Sequence, residues 1–345
     1  MNIKITNFLT SKNFRITILI IILMYFILEI IAGYISFNII FNTKEQNINY
    51  KKEIDNLLKN YNYYDEDYKK IISFFISKYK DAKKINIKSF DNFSLNGYIL
   101  ENKMIQENNN WVIISLGYRS QITSVESFLI TFILYSLGFN ILLIEHRAHG
   151  FSEVKYSSLG YKERLDIKEW IKYIAEKYPN SEIATYGLSM GATAILLACG
   201  EELPKNFKLC IADSAFNSCY DTINTCATEL LHIPKIISKF ILNGTYLVGK
   251  IIYNTNINFY TEDFLKKSNY PILFIHGDND TLIKYKSVEK MYKNYKGDKE
   301  ILIIKNADHC SGLFLNSKLY FKSIKNFTRK YMDFNNFDKI SSSTT

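Results

Sequence analysis

Proline is scarce in this chain, with four in 345 residues, and glycine numbers only fourteen. Collagen-like, linker-rich and low-complexity architectures need far more of both and are excluded. No CxxC or zinc-type spacing occurs. The five cysteines (Cys199, Cys210, Cys219, Cys226 and Cys310) are an odd number, which argues against a complete disulfide framework. Cys199 and Cys210 lie in apolar runs and read as small core residues; Cys219 and Cys226 could pair in an oxidising compartment. A concentrated basic stripe is also missing. Lysine and arginine exceed aspartate and glutamate by 43 to 34, a formal charge of +9. The lysines are interleaved with acids and aromatics ("KKEIDNLLKN", "YKSVEKMYKNYKGDKE"), as on solvated helix faces, so no nucleic-acid partner is expected.

What is present suits one large α/β domain: 47% apolar and 22% charged residues allow a sizeable core. A short basic N-terminal segment (1–15), with Lys4, Lys12 and Arg15, precedes "ITILIIILMYFILEIIAGYISFNIIF". That run, Ile16 to Phe41, is 26 residues with one charge, Glu29. As a helix it covers roughly 39 Å, more than the roughly 30 Å of a hydrocarbon core. Glu29 near the middle costs on the order of 3 kcal/mol on insertion scales, and the surrounding Ile, Leu and Phe outweigh it. A cleaved signal peptide is the rival reading, but "EIIAGYIS" lacks an A-x-A site. An uncleaved single-pass anchor over 16–41 is therefore expected. The charges before it favour a cytoplasmic N-terminus and an extracytoplasmic globular part, although Lys44, Lys51 and Lys52 follow the span.

Residues 42–84 read as a polar, tyrosine-rich helical spacer. From Ile85 strands and helices alternate. "INIKSF" and "SLNGYIL" form a hairpin, and "WVIISLGY" and "NILLIEH" are buried strands around the helix "VESFLITFILYSLGF". The amphipathic helix "KERLDIKEWIKYIAEKY" leads to "EIATYG", a helix from Ala192 to Glu202 and the strand "FKLCIADS". After an insertion come "PILFIHGD", a helix around Tyr285 to Tyr295, "EILIIKNADH" and a last helix to about Tyr331. Near-continuous apolar strands alternating with helices predict an α/β fold, a mostly parallel central sheet covered on both faces. This domain spans 85–333, and 334–345 ("SSSTT" at its end) is a tail.

Catalytic groups of such sheets gather at the carboxyl ends of the strands. Ser189 follows "EIATY" directly, as Gly187-Leu188-Ser189-Met190-Gly191. That is the G-x-S-x-G elbow, a sharp strand-to-helix turn that lifts the serine oxygen clear of the sheet. A serine nucleophile needs a base for its proton and an acid to orient the base. "PILFIHGDNDTLI" ends a strand with Asp278 and Asp280, and "EILIIKNADHC" ends the next with Asp308 and His309. Asp280 lies 91 residues after Ser189, and His309 lies 29 after Asp280. The order Ser, Asp, His at successive strand ends supplies what the elbow alone does not.

With "GLSMG", "HGDNDTLI", "NADH" and "IEHRAHGFS" in hand, residues 85 to 331 resemble the α/β-hydrolase superfamily. They are most similar to its membrane-anchored serine hydrolases and the monoacylglycerol lipase/serine aminopeptidase-like branch. The resemblance implies Ser189 as nucleophile, Asp280 (rather than Asp278) as acid and His309 as base. It implies oxyanion donors at the Met190 amide and in the loop after "WVIISLGY", at the Tyr118 amide. Leu116-Gly117 stands where the family often has His-Gly, and Glu145 where it usually has Asp. The insertion, about 216–264, becomes a helical lid over the site, its apolar residues lining an acyl pocket or packing on the body.

The other histidines have plainer readings. His146 and His149 stabilise a turn, His276 is a structural hydrogen-bonder at a strand end, and His232 sits on the lid surface. Asp213-Ser214 reads as a cap or loop anchor. The expected protein is a membrane-anchored serine hydrolase acting on a carboxylic ester of a lipid or other apolar acyl compound, with neither metal nor organic cofactor. An aminopeptidase would need acids for a free amino terminus, for which Glu229 and Glu262 are candidates. A thioesterase and a non-catalytic binding protein of the same fold are the remaining alternatives.

Overall fold

A strand buried on both sides must be covered on both sides, and this decides the architecture. The computed structural model describes residues 12–44, 50, 66–103, 105 and 108–334. In chain order the elements are α1 (Lys12–Phe41), α2 (Glu66–Asp81), β1 (Lys83–Lys88), β2 (Ser94–Leu100), β3 (Asn110–Ser115), α3 (Val125–Ser136), β4 (Asn140–Ile144), α4 (Glu163–Lys177), β5 (Glu182–Leu188) and α5 (Met190–Ala198). They continue with β6 (Phe207–Asp213), α6 (Cys219–Thr225), a π-helical turn (Cys226–Leu230), α7 (Lys235–Ile252), α8 (Thr261–Leu265), β7 (Ile272–Gly277), α9 (Lys286–Asn294), β8 (Lys299–Ile304), α10 (Gly312–Leu315) and α11 (Ser317–Tyr331).

The eight strands form one sheet in the order β1-β2-β4-β3-β5-β6-β7-β8. Pairings from β4 through β8 are parallel, and only β1/β2 and β2/β4 are antiparallel. Alternation along each strand divides the core. Val112 and Ile114 join Phe75, Phe128, Ile324 and Phe327 beneath α2, α3 and α11. Trp111 and Ile113 join Trp170, Ile171, Ile195 and Met291 beneath α4, α5 and α9. The period-two pattern thus sends neighbouring side chains into different layers.

Two stretches add to the sequence reading. The spacer expected over 42–84 carries α2, whose Ile72, Phe75 and Ile76 are buried in the main core, with the Phe75 and Phe128 ring centroids 3.9 Å apart. A narrow apolar stripe at helical spacing suffices for this docking, and β1 then begins at Lys83. Lys12 and Arg15, expected ahead of the apolar span, already lie in α1. Residues 1–11 and the tail from 335 lie outside the described residues.

Among the described residues α1 is the one helix long and apolar enough to cross a membrane. Its side chains are exposed from Leu19 to Leu28, but its second half docks on α7 of the insertion. The two backbones touch: a Cβ on Gly33 would lie 2.1 Å from Gly244 C, and one on Gly244 would lie 2.0 Å from Glu29 O. Glu29 sits at this crossing and is only 5% exposed. The charge that interrupts the apolar run is therefore shielded by the insertion rather than turned outward.

Candidate active site

The strand order decides which loops meet. Ser115 of β3 pairs with Gly187 of β5, Leu188 with Asp213 of β6, and Gly277 of β7 with Ile304 of β8. Five loops therefore leave one edge of the sheet side by side, carrying Tyr118, Ser189, Ser214, Asp280 and His309.

Ser189 stands between β5 and α5 at φ 54° and ψ −116°, a conformation that a non-glycine residue keeps only when its surroundings hold it. The surroundings do so. Its amide donates to Asp213 O at 2.8 Å, and its carbonyl accepts from the Thr193 amide at 3.0 Å. A Cβ on Gly191 would lie 2.1 Å from Ser115 O, so only glycine lets α5 start this close to β3.

His309 Nε2 lies 2.8 Å from Ser189 Oγ, and its Nδ1 lies 2.8 Å from Asp280 Oδ2. The buried Asp280 accepts the Leu282 and Ile283 amides on Oδ1, at 3.0 and 2.7 Å. Its Oδ2 is left for the imidazole, with a second imidazole, His276 Nε2, at 3.3 Å. Asp278 does not join this chain; its Oδ1 accepts the Asn306 amide at 2.6 Å. The structure thus brings Ser189, His309 and Asp280 together and leaves Asp278 as a loop tie.

Gly117 brings the other wall to the nucleophile, with its Cβ position 3.5 Å from Ser189 Cβ. Among the described residues neither the Met190 nor the Tyr118 amide is bonded to a protein acceptor. Both are thus available donors, Met190 directly after Ser189 and Tyr118 directly after Gly117.

Several contacts were not readable from the sequence. Asp308 Oδ1 accepts the Thr281 amide and hydroxyl and the His309 amide, at 2.9, 3.0 and 2.8 Å, and so ties the Asp280 loop to the His309 loop. The backbone amide of Thr281 leads in holding this carboxyl below the ordinary aspartate range. Arg147, buried within "HRAHG", forks onto Asp166 at 2.6 and 2.7 Å and onto Asp91 at 3.1 and 3.0 Å. Asp213 is the loop anchor expected: burial raises its pKa, and it accepts the Tyr320 and Ser214 hydroxyls at 2.6 and 2.8 Å.

The turn histidines are neutral by geometry. His149 Nδ1 donates to Arg147 O at 2.9 Å, which leaves Nε2 to accept the Arg119 amide at 3.0 Å. His146 Nε2 donates to Ser115 Oγ at 2.9 Å, which in turn donates to Gly191 O at 3.1 Å. Burial pulls His146 down to about 4 from an ordinary value of 6.5, and burial also lowers His149. A depressed folded pKa gives stabilisation that is complete above the ordinary value and is lost as pH falls towards the folded one. The melting temperature is therefore expected to drop between about pH 6.5 and about pH 4, less steeply in His146→Gln. A wild-type profile as flat as the variant's would refute this.

Other residues fall where their plainer roles put them. His232 is exposed on the insertion, and His276 Nε2 bonds Ile283 O at 2.8 Å. Glu229 and Glu262 are ion-paired with Lys284 and Lys290 at 2.9 and 2.8 Å, so neither stands as a free carboxylate for an amino terminus. Cys219 and Cys226 are both free thiols. The insertion closes at its base through the Ser218–Tyr260 bridge. Its Phe216, Val248, Ile257 and Phe259 pack with Met190, Leu197 and Ile283, so it sits over the elbow.

A family model described as the prolyl oligopeptidase family matches residues 127–335, which include Ser189, Asp280 and His309. Among curated proteins the chain is similar to the uncharacterized protein YqkD of Bacillus subtilis (strain 168), 28% identical over 228 residues, 63% of this chain and 70% of that one. It is also similar to the uncharacterized protein YfhR of Escherichia coli O157:H7, 26% identical over 174 residues, 50% of this chain and 54% of that one. Among solved structures, the Pyrococcus furiosus esterase Pf2001 matches with a TM-score of 0.61 at 24% identity, over 73% of this chain and 92% of that one. Est1E from Butyrivibrio proteoclasticus, with ferulic acid bound, gives 0.55 at 22% identity, over 71% and 98%. These two likenesses are of fold.

Proposed function

The chain belongs to the prolyl oligopeptidase family, within the α/β-hydrolase superfamily, and from that premise we propose that it is a membrane-anchored serine hydrolase of carboxylic esters. The observation that carries the reading is the Ser189–His309–Asp280 relay, two hydrogen bonds of 2.8 Å ending at a strained elbow. Ser189 Oγ attacks the ester carbonyl while His309 Nε2 takes its proton, and Asp280 holds the Nδ1–H tautomer. The Met190 and Tyr118 amides meet the oxyanion. Collapse of the tetrahedral intermediate breaks the bond to the leaving alcohol, which receives the proton from His309. Water, deprotonated by the same imidazole, then attacks the acyl-enzyme, and Ser189 is regenerated as the acid leaves.

The substrate proposed is a lipid or another ester with an apolar acyl chain. The support is the apolar insertion over the elbow and its continuity with α1, through the Tyr25 and Phe240 rings, 5.0 Å apart, and with Ile236, 81% exposed. The exposed part of α1, Ile16 to Leu28, is proposed to lie in the membrane while its second half is held on the domain, with Lys12 and Arg15 on the cytoplasmic side. One experiment on sealed right-side-out vesicles tests both parts, using aryl esters of rising chain length and a membrane-impermeant fluorophosphonate. Octanoate is expected to be preferred to acetate, with labelling of the domain before permeabilisation. A preference for acetate would sink the apolar-acyl assignment, and labelling only after permeabilisation the orientation.

A further inference from the structure

The last turn of a helix leaves carbonyls without intrahelical donors, and those of α1 are met from the α/β domain. The Tyr118 hydroxyl donates to Ile40 O at 2.6 Å. The Arg119 guanidinium donates to Ile39 O at 3.1 Å, with Asn42 O at 3.5 Å. The Ser157 amide donates to Phe41 O at 2.8 Å. Two of these donors are consecutive residues of the loop whose Gly117 lies against Ser189. A cationic guanidinium at the carboxyl end of a 30-residue helix also meets the negative end of its dipole.

This loop needs outside support. Arg119 sits at φ 56°, in the left-handed region that side chains other than glycine seldom adopt. Its amide is held by His149, and its side chain by α1. The chain leaving α1 fastens to the same turn: Thr43 Oγ1 donates to Ala148 O at 3.1 Å and Lys44 Nζ to Gly150 O at 2.9 Å. Phe37 and Phe41 of α1 are fully buried in one cluster with Met190. Both amides available for the oxyanion therefore rest on α1, one through a hydroxyl and one through packing.

We propose that the C-terminal turn of α1 is a positioning element of the oxyanion hole, acting through the Tyr118 and Arg119 side chains. The helix then contributes to turnover as well as to where the enzyme sits. This inference rests on the hydrolase reading above and is independent of whether α1 lies in a membrane. Oxyanion donors work within a few tenths of an ångström, and a displacement of about 1 Å can cost on the order of a hundredfold in rate. Loss of one brace, with the amide still in the chain, should cost less than that.

The test uses the full-length protein, an aryl ester and an alkyl boronate, whose tetrahedral adduct with a serine places an oxygen where the oxyanion would lie. Tyr118→Phe removes one oxygen and keeps the amide and ring. Its kcat is expected to fall roughly tenfold with KM changed by less than about twofold, and boronate affinity to fall by the same factor as kcat. Arg119→Ala should behave alike, and Arg119→Lys should recover part of the loss. A merely structural brace would lower the melting temperature while leaving kcat and boronate affinity unchanged below it. That result, in either variant that folds, overturns the proposal. A wild type that neither turns over ester nor labels with fluorophosphonate would instead remove the hydrolase reading itself.

Discussion

Ser189→Ala is expected to abolish fluorophosphonate labelling and to lower ester turnover by about 10⁴-fold or more. The size follows from what the substitution removes. The oxygen within 2.8 Å of His309 Nε2 is the atom that becomes covalently acylated, and no neighbouring side chain replaces it. Ser214 is the nearest rival by position, but its hydroxyl donates to Asp213. His309→Ala should cost nearly as much, because an unassisted serine hydroxyl is a weak nucleophile. The double variant should be scarcely worse than either single one, since the two groups act as a unit. Multiplicative losses would mean that they act separately. Full labelling of folded Ser189→Ala would place the nucleophile elsewhere and end the proposal.

The parts of the site that could be read from sequence are those fixed by local geometry. G-x-S-x-G marks an elbow because a Cβ on Gly191 would strike β3, and "EIATYG" must end as a strand for that elbow to form. Asp280 and His309 were legible because parallel strands in sequence send their following loops to one edge. The α/β-hydrolase reading rested on these addresses, and the matching family model is that of prolyl oligopeptidase.

What stayed hidden depends on contacts between distant segments. Nothing near Tyr118 announces that its hydroxyl will meet Ile40, 78 residues earlier. Gly33 and Gly244 look like interruptions in two apolar runs until the helices cross there. The α2 stripe was obscured by its polar, tyrosine-rich neighbourhood, and a periodicity fixes a face but not the partner that face will meet. Glu29 shows the same limit: in sequence it is a charge set against membrane insertion, while in the fold it is covered by α7.

Asp280→Asn separates orientation of the base from charge on the loop. Two backbone amides hold Oδ1 of Asp280, so the carboxylate cannot rotate away from His309 without breaking both. The isosteric amide would keep the packing. An amide NH₂ placed at the Oδ2 position would face His309 Nδ1 donor to donor and favour the tautomer with Nε2 protonated. That nitrogen could then no longer accept the Ser189 proton. The expected result is a kcat lower by roughly 10³- to 10⁴-fold, as for the same change in serine proteases, with KM altered far less. Asp278→Asn, at a carboxylate that among the described residues ties the Asn306 amide, should stay within about threefold of wild type if the acid is correctly assigned. Asp213→Asn supplies the sharper comparison, because Asp213 is another buried carboxylate at this edge of the sheet. It is bonded to Tyr320 and Ser214 rather than to the imidazole, so its loss should appear first in the melting temperature. If Asp213→Asn or Asp278→Asn lost the larger factor and Asp280→Asn did not, the acid would have to be reassigned.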